Sequence, residues 1–329
     1  MGSLLEIEDL VVEFRTPHEL VRAVNGISYA VEAGETAAVV GESGSGKSVS
    51  ALAILGLVPQ PGRVVGGEIR FEGTDLLRLD EEGIRRLRGR KIAMVFQEPM
   101  TSLNPVLSIG NQITESMRLH LKLSARAARA RAVELLTLVG IADPERRLGQ
   151  YPHHLSGGMR QRVMIATALS CEPALIIADE PTTALDVTIQ AQILTLMQDL
   201  SRRLGVALVI ITHNLGVVAR YAQHANVMYA GRIIEQGPAD EVYRRPSHPY
   251  TVGLLNSVPR LDRPRDRPLD PIPGNPPDLT RAIAGCAFRP RCHFAEPRCA
   301  EQIPPLDLAG EEHSAACWEI EALHRATGA

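Results

Sequence analysis

Gly41-Glu42-Ser43-Gly44-Ser45-Gly46-Lys47-Ser48 decides the reading of this chain. It follows the β-branched run Thr36–Val40 and precedes Ser48–Leu57, a stretch of helical character. The glycines therefore fall in a strand-to-helix turn. There they let successive backbone N–H groups curl inward as an anion nest, at a helix N-terminus whose dipole favours negative charge. Lys47 can reach terminal phosphates, and the Ser48 hydroxyl can ligate Mg²⁺. Gly41, Ser43, Gly44, Ser45, Gly46, Lys47 and Ser48 are thus candidate ligands of a nucleoside triphosphate. A glycine-rich turn with a chance lysine is the bland alternative, and the strand–loop–helix context argues against it.

Two further stretches add chemistry. Leu175–Ala178 is an apolar strand ending in Asp179 and Glu180. A buried strand presents Asp179 at its carboxyl end, where it can hold the water shell of Mg²⁺. Glu180, one residue on, is placed to polarise a water for in-line attack on a γ-phosphate. Alone, such a strand end is more often only the start of a turn. Leu155-Ser156-Gly157-Gly158-Met159 precedes Arg160–Leu169, whose apolar residues recur at helical spacing. Ser156 is a natural N-cap, which makes this a second helix start with exposed N–H groups. A second anion site suggests that the γ-phosphate is held from two sides.

Outward from these motifs, Thr36–Val40, Lys91–Phe96, Ala174–Ala178 and Val206–Thr212 alternate with helical stretches, which predicts an α/β layer architecture with a largely parallel sheet. Glu68–Phe71 followed by Glu72-Gly73 reads as a hairpin in a small antiparallel β region. Between about 100 and 170 the strand signal gives way to a helical insertion that includes Ala125–Val139, closed by Gly140. The domain expectation is a nucleotide-binding domain over 4–258, a proline-rich linker over 259–285 and a four-cysteine extension over 286–329.

Composition narrows the function. Hydrophobic residues make up 45% and charged residues 22% of 329 positions, as in ordinary globular proteins. A net charge of -3 gives no sign of a nucleic-acid binder. The longest apolar runs fall far short of the about 20 residues a membrane span needs, so action at a membrane would require docking. The N-terminus reads as a strand and not as a signal peptide.

Together, the motifs resemble the nucleotide-binding subunits of the ABC transporter family over residues 4 to about 258. The resemblance implies a RecA-like P-loop core, ATP and Mg²⁺ as cofactors, and a head-to-tail dimer. In that dimer the Ser156-Gly157-Gly158 signature of one copy closes over ATP held by the other. Met159 stands where the family's commonest residue is glutamine. By the same resemblance Gln97 is the Q-loop residue that senses Mg²⁺ and water, His213 the switch histidine and Asp186 the interface-loop aspartate. Phe14 is the aromatic that stacks on adenine. Glu180, His213 and Gln97 are the catalytic candidates, with Ser48, Gln97 and Asp179 around Mg²⁺.

Gln97–Pro105, and Ser247–Thr251 with its proline-rich and cysteine-bearing continuation, are similar to the oligopeptide and dipeptide importers. The partners so implied are two transmembrane permease subunits, a paralogous or identical ATPase subunit and an extracytoplasmic solute-binding protein. The implied location is the cytoplasmic face of the membrane. Nickel or another small solute is the alternative cargo, and a non-transport ABC ATPase the alternative class. Cys286, Cys292, Cys299 and Cys317, spaced C-x5-C-x6-C-x17-C, do not follow zinc-ribbon spacing. Four thiolates from an irregular, proline-containing loop suit a 4Fe–4S cluster. Zinc, with His293 as another ligand, and four reduced thiols without metal are the alternatives. Cys171 reads as a small core residue.

Overall fold

A computed structural model describes residues 2–183, 185–257, 271–281 and 283–328. Contacts divide the chain into one unit of Met1–Val31, Ala37–Leu77 and Thr212–Ala329, and another of Glu32–Thr36 and Arg78–Ile211. Residues 259–270 and 282 of the expected linker lie outside the described residues.

The first unit carries an antiparallel sheet in the order Leu20–Val31, Leu5–Arg15, Gly62–Phe71, Thr74–Asp75. Leu5 pairs with Val31 on one side and Phe71 on the other. Leu5, Ile7, Leu10, Val12, Ile27 and Ile69 are fully or nearly fully buried, which fixes the register. Phe71 turns back to pair with Thr74 through Glu72 and Gly73, both at positive φ (49° and 77°). That is the two-residue hairpin turn expected of this stretch.

In the same unit Thr36–Val40 runs parallel to His224–Tyr229, with Val40 opposite Val227. His224–Tyr229 turns through Ala230-Gly231 into the antiparallel strand Arg232–Pro238. Two short tail strands, Ser314–Ala315 and then Asp307–Leu308, continue outward from it. The tail also enters the core. Phe288 stands edge-on to Tyr229 and Tyr250, at centroid distances of 5.4 and 5.5 Å. Ile272, Leu279, Ile283 and Leu306 pack against the same cluster.

In the second unit Ile92–Val95, Leu175–Asp179 and Ala207–Thr212 form parallel pairs, with Leu175 opposite both Ile92 and Ala207. Every residue of Leu175–Asp179 is buried, the mark of a central parallel strand. The longest helices of the unit are Ile109–His120, Ala125–Leu138, Gly157–Ala168 and Val187–Leu204. Each begins at a side-chain cap, Ser108, Ser124, Ser156 or Asp186, whose oxygen accepts an N–H from the first turn. Ala125–Leu138 ends before Gly140, whose φ of 76° stops the helix. Among the described residues, no helix is long and apolar enough to cross a membrane.

Candidate functional site

The loop of residues 41–48 lies in the first unit between Thr36–Val40 and the helix Lys47–Ile54. Two of its glycines are sterically required. A Cβ on Gly41 would meet the Met228 carbonyl oxygen at 2.1 Å, and one on Gly46 (φ 100°) would meet the Ala23 oxygen at 2.1 Å. The Ser45 carbonyl accepts from Gly231 N–H at 3.0 Å, which ties the loop to the Ala230-Gly231 turn. Lys47 is buried (5% exposed), and its Nζ donates to the Gly41 and Glu42 carbonyls (2.7 and 2.8 Å) and to Ser45 Oγ at 3.3 Å. A fixed ammonium in a glycine-rich loop at a helix N-terminus has the makings of an anion cradle. Ser43 and Gly44 form the loop's tip, with Gly44 at φ 80°, and Ser48 opens the helix beside Lys47.

The acidic pair lies in the second unit. Asp179 is buried (6% exposed) at the end of its strand. Glu180 follows in the left-handed region at φ 42°, a conformation that costs about 1–3 kcal/mol and is characteristic of functional turns. Its Oε2 accepts from Thr183 Oγ1 at 2.6 Å and from the exposed amide of Gln97 at 3.2 Å. Thr183 is a residue that sequence reasoning passed over, although its offset of three from Glu180 was a signal. The fold thus brings Gln97 to the acidic pair across 83 positions of chain.

Ser156, Gly157 and Gly158 open the helix Gly157–Ala168 in the same unit, with Ser156 Oγ accepting from Met159 N–H at 3.4 Å. A Cβ on Gly158 would meet Ile189 Cγ2 at 3.1 Å, so this tip packs against the helix that Asp186 caps. The Oδ1 of Asp186 takes Ile189 N–H at 3.0 Å, while neighbouring Ala184 lies outside the described residues. His213, in the first unit, is exposed directly after Ala207–Thr212. The half-buried Phe14 ring lies over Gly62, where a Cβ would stand 2.6 Å from it.

A tie between the tail and the phosphate loop was not legible in the sequence. Arg291, 4% exposed at its side chain, grips the Glu42 carboxylate with two N–H···O bonds of 2.7 and 3.0 Å. The same guanidinium donates to Pro273 O at 2.8 Å and Tyr229 Oη at 3.4 Å. Glu42 N–H donates to Tyr250 Oη at 2.7 Å. The Glu42 carboxylate holds the Arg291 guanidinium far above its ordinary range. Because 249 positions separate the partners, no local pattern could signal the pair.

The tail thiols line one cavity of about 20 Å³, with His248 and Trp318 beside them. All four are unpaired, and no group of three or more His, Cys, Asp or Glu among the described residues could hold a metal ion as the side chains stand. The expected ligand set is therefore gathered around a common space but not assembled, because that space holds about one water. Burial pushes Cys292 up to about 11 and Cys317 up to about 12, and neighbouring cysteines raise both further. Phe294 N–H donates to Cys292 Sγ (3.4 Å) and Glu319 N–H to Cys317 Sγ (3.3 Å). Cys171, in the second unit, is buried.

An anion cradle, a buried strand-end aspartate and a glutamate held by hydroxyl and amide donors define a P-loop nucleotide-hydrolysing cassette. The ABC transporter family model matches residues 24–183, and the model of the oligopeptide/dipeptide transporter C-terminal region matches residues 234–299. A probable peptide ABC transporter ATP-binding protein of Sinorhizobium fredii is 53% identical over 316 residues, which is 96% of this chain and 94% of that protein. An oligopeptide transport ATP-binding protein of Bacillus subtilis is 52% identical, over 96% of this chain and 88% of that protein. Among solved structures, the post-hydrolysis dimer of an ATP-binding cassette with ADP and Pi aligns at a TM-score of 0.65 and 26% identity, covering 71% of this chain and 98% of that one. A component of an ABC transporter complex from Clostridium perfringens aligns at 0.64 and 30%, covering 74% and 91%. The chain belongs to the ATP-binding subunits of ABC transporters, ATPases with a RecA-like P-loop core. Its C-terminal region places it in the oligopeptide/dipeptide branch of that family.

Proposed function

We propose that this chain is the motor of an ABC importer of di- or oligopeptides, coupling ATP binding and hydrolysis to uptake through partner permeases. The match of its C-terminal region to that of oligopeptide/dipeptide transporters carries the reading. It works with two transmembrane permeases, a paralogous or identical ATPase subunit and an extracytoplasmic solute-binding protein, docked at the cytoplasmic face of the membrane.

Lys47 and the backbone of the loop around Gly44 and Gly46 receive the β- and γ-phosphates, and Phe14 stacks on adenine. Ser48, Asp179 and Gln97 would hold Mg²⁺, a reading supported by the buried Asp179 carboxylate and the hydroxyl beside Lys47. Bound Mg²⁺ supplies charge neutralisation during phosphoryl transfer. Glu180, whose Oε2 accepts from Thr183 and Gln97, orients the attacking water. His213 donates to the γ-phosphate. Ser156, Gly157 and Gly158 present N–H groups to ATP on the opposing copy, and Asp186 sits in the loop at that interface. Such catalysis rests on positioning and charge. Glu180→Gln should bind ATP, hydrolyse it at least about 100-fold more slowly, and accumulate as a closed dimer. Near-normal turnover would remove Glu180 from its role.

The four tail thiols are where a 4Fe–4S cluster, or zinc, would be held. Their gathering around one cavity and the N–H···S bonds to two of them favour this reading, the cavity of about 20 Å³ having to widen to admit either group, and no step of hydrolysis runs through it. Analysis of anaerobically purified protein for iron, acid-labile sulfide and zinc tests it, and substoichiometric values for all three remove it.

A further inference from the structure

A second cavity in the first unit, of about 770 Å³, is not lined by any residue of the 41–48 loop. Its walls come from Leu20–Val31, from Arg232–Pro238 and from the tail, with Leu20, Ile233, Leu279, Ile283, Phe288 and Leu306 supplying apolar surface. The volume suits a small organic ligand.

Two polar groups in this cavity lack a counterpart. The Arg232 guanidinium is half-buried, yet it makes no ion pair and no hydrogen bond among the described residues. Gln236 Oε1 is buried and accepts no hydrogen bond. Unpaired buried groups of this kind cost free energy until a ligand satisfies them. The other charged groups lining the cavity are accounted for. Arg22 is held by Glu13 at 2.7 Å, and Arg281 by Asp278 at 3.5 Å. Asp9 is exposed and pairs with Ser28 Oγ at 3.5 Å, while buried His248 is neutral. Burial, then the nearby Arg22, lowers the Arg232 pKa, so the charged guanidinium is disfavoured where it stands.

We propose that this cavity binds a short peptide, with the C-terminal carboxylate on Arg232, a peptide N–H on Gln236 Oε1 and side chains on the apolar walls. Guanidinium is the side chain best matched to a carboxylate. An amide N–H is the neutral donor that a buried amide oxygen calls for. Asp9 offers the counter-charge for the ammonium end. If the import reading holds, the site would report peptide accumulating beside the motor; the binding claim does not depend on that reading.

Isothermal titration calorimetry on the full chain, with Mg·ADP saturating the phosphate loop, tests the site. The probes are the dipeptide Leu-Leu, its C-terminal amide and inorganic phosphate. Leu-Leu should bind once per chain, and both amidation and Arg232→Gln should weaken it at least about tenfold. Gln236→Leu, which removes the unsatisfied oxygen at little cost to folding, should weaken it by a similar factor. Absence of saturable Leu-Leu binding up to about 10 mM, or binding untouched by Arg232→Gln and Gln236→Leu, would overturn the proposal. So would binding of phosphate but not Leu-Leu at Arg232, which would mark a plain anion site.

Discussion

Arg291→Met keeps most of the aliphatic stem and removes the guanidinium that binds Glu42 through two N–H···O bonds and also reaches Pro273 and Tyr229. Breaking a buried ion pair costs about 3–5 kcal/mol, because the partner charge is left without compensation. The Glu42 side chain is 27% exposed, so water recovers part of that loss. The expected destabilisation is about 2–3 kcal/mol. Trp318 is the single tryptophan and lies in the tail, so its fluorescence follows urea unfolding of this region. At about 1–3 kcal/mol/M in urea, the midpoint should fall by roughly 1 M or more. A cycle with Glu42→Leu should give a coupling energy near about 2 kcal/mol, the double variant recovering part of each single loss. Because the Glu42 carbonyl accepts from Lys47 Nζ, Arg291→Met should also raise the dissociation constant for ATP. A coupling energy below about 0.5 kcal/mol would refute the tie as a stabilising link.

Other expectations follow from single side chains. His248 is buried, its Nδ1 caps the helix Pro249–Asn256 by accepting from Tyr250 N–H, and burial lowers its pKa to about 3. Between that value and about 6.5 the unfolded chain binds a proton that the folded chain does not, so stability should fall as pH drops through this window. His248→Asn, which keeps a capping oxygen, should flatten the acid limb by up to about 1.4 kcal/mol per pH unit, read by urea titration at several pH values. Raised thiol pKa values and burial should make Cys292 and Cys317 react with iodoacetamide at pH 8 on the order of a hundredfold more slowly than in denatured chain, measured by peptide mass spectrometry. Gly46→Ala, which drives a methyl group onto the Ala23 carbonyl, should abolish ATP binding by filter assay while far-ultraviolet circular dichroism changes little.

What could be read in the sequence was local. The strand before the phosphate loop, the buried strand ending in Asp179-Glu180 and the cap at Ser156 each depend on neighbours within a few positions, and each stands in the structure. The helix after Ser156 starts at Gly157, where the Ser156 cap placed it, because a cap and not hydrophobicity sets the first turn. Contacts made by folding back were not readable. Arg291 meets Glu42, and tail residues close the cavity that Arg232 and Gln236 enter from one strand, only because the tail folds back onto the rest of the first unit. The cysteine spacing was legible, but spacing along a chain does not give the distances that decide whether thiols can share a metal.

The tail strands Ser314–Ala315 and Asp307–Leu308 lie on the side of Arg232–Pro238 away from His224–Tyr229. A chain cut short after the cassette would leave that backbone edge bare, its amides and carbonyls open to the same edge of another molecule. The appended segment therefore doubles as a guard against self-association, and a truncated cassette made for convenience would tend to precipitate for reasons unrelated to nucleotide chemistry.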